Sequence, residues 1–111
     1  MKNSDLIIKE LYDVILKRMT ENIEGSYTCY LFQKGLDKIL KKCGEECTET
    51  IIAAKNGSPN EIVNEVSDLI YHILVLLVEC KIPLSNVLDE LSLRSAKQSN
   101  LKPIKSVDKN T

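Results

Sequence analysis

The sequence predicts an all-α fold, a small bundle of four to five helices. Three observations carry this expectation. Apolar residues recur at spacings of three and four along most of the chain, the period of a helix with one buried face. The 111 residues hold only 4 glycines and 3 prolines, too few for a loop-rich β fold. Helix-start and helix-stop residues stand where the periodic runs begin and end.

The first helix is expected over residues 4–21. Ile8, Leu11, Ile15 and Met19 form its apolar stripe. Ser4 suits an N-cap, and Asp5 places an acid where the helix dipole favours one. The break follows at residues 22–26, around Gly25. A second segment covers residues 27–55, and Gly35 is expected to split or bend it. Gly57 sits just past its end, as a C-cap glycine does. The third helix opens on a capping box, with Ser58 as N-cap, Pro59 at N1 and Glu61 at N3. It is expected to reach Cys80. A fourth segment, residues 83–94, has Leu84, Val87, Leu88 and Leu91 on one face. Residues 1–94 thus read as one all-α domain, and the polar residues 95–111 as a disordered tail.

Composition narrows the function. Lys+Arg 15 against Asp+Glu 16 leaves a net charge of −1, which excludes a broad polyanion-binding surface and so a nucleic-acid binder. Aromatic content of 5% offers few stacking platforms for bases. The longest apolar run, residues 69–78, is far short of the roughly 20 residues of a membrane span. No secretory signal is visible, so a cytoplasmic protein with reduced thiols is expected. Cys43 and Cys47 lie one turn apart, but no Cys/His quartet accompanies them, and buried thiols are expected rather than a zinc site. Residues 69–78 are apolar almost all round, more than three short neighbours can cover. A homodimer with a shared core is therefore expected.

The near-zero net charge hides a concentration of acids. Residues 45–68 hold six acids and one lysine, giving a local charge of −5. On a helical wheel Leu36, Ile39, Leu40, Cys43, Cys47, Thr50, Ile51 and Ala54 fall on one face of the second segment. Lys42, Glu45, Glu46 and Glu49 fall on the opposite side. Glu61, Glu65, Asp68 and His72 form a stripe on the third helix, which the short connection at residues 55–59 makes an antiparallel neighbour. Like charges at these spacings repel. A solvated face usually intersperses lysines, and residues 62–78 contain none. Hard oxygen ligands without thiols suit Mg²⁺, with Mn²⁺ as a possible substitute. Such a site points to metal-assisted attack on a phosphate ester or anhydride. His72 either orients a carboxylate or is a satisfied core residue; the second is the commoner case.

The motifs also resemble a known family. Ser26-Tyr27-Thr28, Leu31-Phe32-x-Lys34-Gly35, Ile39-x-x-Lys42-x-Gly44-Glu45-Glu46-x-x-Glu49, Ala53-Ala54-Lys55-x-Gly57 and Glu65-x-x-Asp68-Leu69 are similar in order and spacing to the phosphoribosyl-ATP pyrophosphatases. The paired acidic motifs alone indicate only a MazG-like all-α nucleotide pyrophosphohydrolase. The other elements narrow it. The resemblance implies a cytoplasmic, dimeric, Mg²⁺-dependent hydrolase. Its reaction would convert 1-(5-phosphoribosyl)-ATP to 1-(5-phosphoribosyl)-AMP and pyrophosphate, the second step of histidine biosynthesis. It implies Glu46, Glu49, Glu65 and Asp68 as metal ligands, with Glu45 a further ligand or the base that orients the attacking water. Lys34 and Lys42 match the family as phosphate contacts, and Lys41 is a weaker candidate. Ser26 and Tyr27 are either a cap and a packing ring or substrate contacts. The chain lacks the zinc cysteines of the cyclohydrolase domain fused to many relatives, so a stand-alone form is expected. The competing expectations are a house-cleaning (d)NTP pyrophosphohydrolase and a non-catalytic helical module.

Overall fold

The computed structural model describes residues 6–99, and every regular element among them is helical. The order is α1 (Ile7–Met19), α2 (Tyr27–Lys34), α3 (Leu36–Asn56), α4 (Pro59–Glu79) and α5 (Leu84–Ser99). The expected caps Ser4 and Asp5 lie outside the described residues. Gly35 does split the second segment: its φ of 91° and ψ of −171° are open to glycine, and the chain turns there from α2 into α3. Gly57 ends α3 in the left-handed region at φ 72°. Ser26 and Ser58 cap α2 and α4, their hydroxyls accepting from the Cys29 and Glu61 amides at 3.1 and 3.4 Å.

α5 runs past the expected end at Arg94. No glycine or proline interrupts residues 95–99, so the helix continues to Ser99. The rest of the expected tail, residues 100–111, lies outside the described residues.

α3 and α4 are joined by the tight Gly57–Ser58 turn and make the most extensive helix–helix contact of the chain. α1 packs on α4, and α2 bridges α1 and α3. The core gathers Tyr12, Ile15, Leu31, Ile39, Leu74, Val75, Val78 and Leu84. The Tyr12 hydroxyl crosses the bundle to donate to the Ile82 carbonyl at 2.9 Å, tying α1 to the turn before α5.

α3 buries only part of the face its hydropathy selects, with Cys43 and Thr50 half-buried. Ile39, Glu46 and Ala53 are buried, while Leu36, Leu40, Cys47, Ile51 and Ala54 are exposed. The helix is rotated so that its acidic stripe borders the α4 contact. The expectation that both Cys43 and Cys47 are buried thiols fails for the same reason: Cys43 is half-buried and Cys47 is exposed. α4 also leaves apolar residues uncovered, with Val63 66%, Ile70 39% and Ile73 42% exposed.

Candidate active site

The rotation of α3 brings acids from two helices together. One carboxylate oxygen from each of Glu46, Glu49 and Glu65 lies within 4.8 Å of the others. Glu46 is buried, Glu65 half-buried and Glu49 exposed, so the group runs from the interior to solvent. Glu49 and Glu65 also line a pocket of about 150 Å³ with Ile52, Ala53 and Glu61. Asp68 stands one turn after Glu65, is half-buried, and acts on Glu46 and Glu65 through its charge. It is not part of the three-oxygen group.

Two buried side-chain oxygens among the described residues have no hydrogen-bond partner: Oε2 of Glu46 and Oε2 of Glu65. A buried unsatisfied acceptor costs roughly 1–3 kcal/mol, more for a charged one. Both belong to the cluster. The electrostatics record the same tension. Burial, then a hydrogen bond to Glu49 that needs a proton, then the charges of Glu49 and Asp68 raise Glu46 above the ordinary carboxyl value, with His72 opposing. The hydrogen bond to Glu49 comes first in raising Glu65, followed by burial and the neighbouring carboxylates. Three oxygen donors with two orphaned atoms, and neither a thiol nor an imidazole among them, form a set that fits a hard divalent cation.

The expected lysines separate into distinct places. Lys42 lies 3.8 Å from Glu45 and 3.7 Å from Glu46. Burial works against its charge, but Tyr27, Glu45, Glu46 and Glu49 together outweigh that and raise it. Lys41 is exposed and lines a shallow pocket of about 480 Å³ with Gly44, Glu45, Thr48 and Glu49. Lys34 is exposed, its ammonium 5.8 Å from the Tyr30 ring centre.

His72 is a satisfied core residue, 5% exposed. Its Nδ1 lies 2.7 Å from the main-chain carbonyl of Asp68, not from a carboxylate. Its Nε2 lies 2.8 Å from the Tyr27 hydroxyl. That second contact was not foreseeable, because 45 residues separate the partners and neither motif points at the other. Thr28 and Tyr71 are also hydrogen-bonded, so α2 is fixed to α4 by two side-chain pairs.

Comparison with known proteins identifies the family. Residues 8–95 match the model of the phosphoribosyl-ATP pyrophosphohydrolases. The chain belongs to that family. It is 52% identical over 103 residues to the phosphoribosyl-ATP pyrophosphatase of Clostridium novyi, covering 93% of each chain. It is 55% identical over 102 residues to the enzyme of that name from Listeria welshimeri, covering 92% of this chain and 98% of the relative. It also matches the histidine biosynthesis bifunctional protein HisIE of Caldanaerobacter subterraneus, at 58% over 91 residues, which is 44% of that longer protein. The matched stretch includes both acidic motifs, Glu45-Glu46-x-x-Glu49 and Glu65-x-x-Asp68. Among the described residues, no helix is long and apolar enough to cross a membrane.

Proposed function

We propose that the protein hydrolyses 1-(5-phosphoribosyl)-ATP to 1-(5-phosphoribosyl)-AMP and pyrophosphate, as a Mg²⁺-dependent step of histidine biosynthesis. The carrying observation is the cluster of Glu46, Glu49 and Glu65 with its two orphaned oxygens, set in a chain that matches this family over residues 8–95. Glu46, Glu49 and Glu65 would hold the cation, with Asp68 beside them. When bound there, a divalent cation offsets the charge of a triphosphate and acidifies water.

The side chains supply the rest. Glu46 and Glu65 aim oxygens from α3 and α4 into one gap, so the two helices set the site rigidly. Lys42 keeps its charge beside Glu45 and Glu46, ready for a phosphate oxygen. Glu45 is only half-buried and can take the proton of the attacking water while the bond between the α- and β-phosphates breaks. Lys41 borders the same exposed side and adds a cation there. Lys34, beside Tyr30, is a further cation for the phosphates.

The active form is a homodimer in the cytoplasm. Leu40 and Ile51 on α3, Val63 and Ile73 on α4, and Leu88 and Leu91 on α5 are all more than 40% exposed in the single chain. Apolar surface on this scale marks an interface, and four free cysteines suit a reducing compartment. The deciding experiment measures pyrophosphate release from phosphoribosyl-ATP against a panel of ordinary NTPs and dNTPs, with and without Mg²⁺. Strong preference for phosphoribosyl-ATP is expected. Turnover of dNTPs alone would move the protein to the house-cleaning pyrophosphohydrolases.

A further inference from the structure

Two lysines meet at the junction of α2 and α3. Lys34 closes α2 and Lys38 lies in the first turn of α3, on either side of Gly35. Both come to the exposed ring of Tyr30, their ammonium groups 5.8 and 5.9 Å from its centre. Lys38 is half-buried. Among the described residues neither lysine makes an ion pair, unlike Lys42, which lies against Glu45 and Glu46. The attraction of an ammonium to an exposed ring is weak, and two ammonium groups at one ring repel each other. No acid of the described chain offsets that repulsion by pairing with them. An anion from outside would.

The place of this pair along α3 shows which anion fits. Lys38, Lys42 and Glu46 follow one another every fourth residue, so they stand on one side of the helix. The 3.7 Å approach of Lys42 to Glu46 bears that out. Eight residues separate Lys38 from Glu46, about 12 Å of helix at a rise of about 1.5 Å per residue. Beside this stretch stand two aromatic rings. Tyr30 stacks with Tyr27, centroids 6.2 Å apart at 27°, and Tyr27 and Lys42 act on each other electrostatically. The order along the surface is therefore a carboxylate cluster suited to a cation, then Lys42, then two tyrosine rings, then Lys38 with Lys34. A ligand complementary to all of it carries phosphate at both ends and an aromatic base between. An ordinary nucleoside triphosphate carries phosphate at one end only. Phosphoribosyl-ATP carries a second phosphate, on the ribose attached to the far side of its base.

We propose that Lys38, together with Lys34, binds the phosphate of that second ribose and so determines the preference for phosphoribosyl-ATP over ordinary nucleoside triphosphates. Lys42, nearer the cluster, serves the triphosphate end. The rings of Tyr27 and Tyr30 give the base an apolar wall between the two ends. This assignment rests on the reaction proposed above.

The test is steady-state kinetics of pyrophosphate release by the full chain with Mg²⁺. The substrates are phosphoribosyl-ATP and ribosyl-ATP, the same molecule without the phosphate on the second ribose. The readout is the ratio of their kcat/KM values. One charge-assisted hydrogen bond gives about tenfold, so the wild-type ratio is expected to be about tenfold or more. Lys38→Gln is expected to bring the ratio down toward one, and Lys38→Arg, which keeps the charge, to hold most of it. Lys34→Gln, a change at an exposed side chain, is expected to lower the ratio as well. A wild-type ratio near one overturns the assignment and leaves the reaction standing. Equal losses on both substrates in Lys38→Gln and Lys34→Gln overturn it too, since lysines that only pack on Tyr30 would act on both alike. Failure of the wild-type protein to hydrolyse phosphoribosyl-ATP at all overturns the reaction itself and this assignment with it.

Discussion

Glu49→Gln removes one charge from the centre of the cluster and changes little else. The side chain is exposed and its size is kept, so no cavity opens. Glu49 stands three residues after Glu46 and four after Glu45, and its carboxylate acts on Glu46 and on Glu65 across the helix pair. Like charges at such spacings cost roughly 0.2–0.5 kcal/mol per pair. Relieving three repulsions therefore stabilises the cation-free protein by on the order of 1 kcal/mol, a rise of about 4–8 °C in Tm for a domain of this size. The same change removes one of the three converging oxygens. Loss of one preorganised electrostatic contact typically costs about 10²–10³ in rate. The assay pairs a thermal melt in EDTA with pyrophosphate release from phosphoribosyl-ATP in Mg²⁺. The expected result is a more stable protein that has lost at least about 10²-fold in kcat/KM. A variant that melts lower than wild type, or keeps its turnover, would refute the electrostatic account of the cluster.

Further expectations follow from the same structure. Glu46 and Glu65 are raised above the ordinary carboxyl value of 4.5, the first mainly by burial, the second mainly by its hydrogen bond to Glu49. A carboxyl raised in the folded state adds stability below its unfolded value and loses it as pH climbs through the raised one. The cation-free protein should therefore gain in Tm as pH falls from neutral toward 4.5, while the increment from added Mg²⁺ shrinks, which melts at a series of pH values with EDTA or Mg²⁺ will show. Ser58→Ala removes the cap of α4 and should cost about 1 kcal/mol in urea unfolding. Leu31→Ala opens a cavity at a fully buried site and should cost roughly 2–5 kcal/mol. Ile51→Asp places a charge on the exposed apolar side of α3; for the proposed homodimer, light scattering should report half the wild-type mass with helicity retained, and an unchanged mass would refute an interface on this face.

The helices were legible because their punctuation is local. Ser26, Gly35, Gly57 and Ser58 act on their own turns, and each does in the structure what its type dictates. The end of α5 was misjudged because polar composition was read as a stop, whereas residues 95–99 contain no helix breaker. The convergence of Glu46, Glu49 and Glu65 was legible in outline, since the short α3–α4 turn forces two acidic stripes into adjacency. Asp68 has the right spacing but does not join the three-oxygen group. The bond from Tyr27 to His72 was beyond reach, because it depends on how α2 is laid against α4 after Gly35 redirects the chain.

The one systematic error, the face of α3, is itself informative. Hydropathy alone would bury Leu36, Leu40, Ile51 and Ala54 and leave the acids in water. The single chain instead buries Glu46 in line with Ile39 and Ala53, while Leu40 and Ile51 stay 46% and 59% exposed. A helix so placed is costly on both sides when the chain is alone. On the inner side, two carboxylate oxygens have no partner; on the outer side, large apolar groups meet solvent. Each cost has a natural remedy of its own chemistry. In the function proposed above, a divalent cation would satisfy the inner oxygens and a second copy would cover the outer face. The placement of α3 is therefore the property to perturb: under the proposed homodimer, Ile51→Asp should also weaken Mg²⁺ binding, because the outer contact would help hold Glu46 and Glu49 against Glu65. Isothermal titration of Mg²⁺ into that variant measures the coupling, and an affinity equal to wild type would show that the α3–α4 pair sets the site alone.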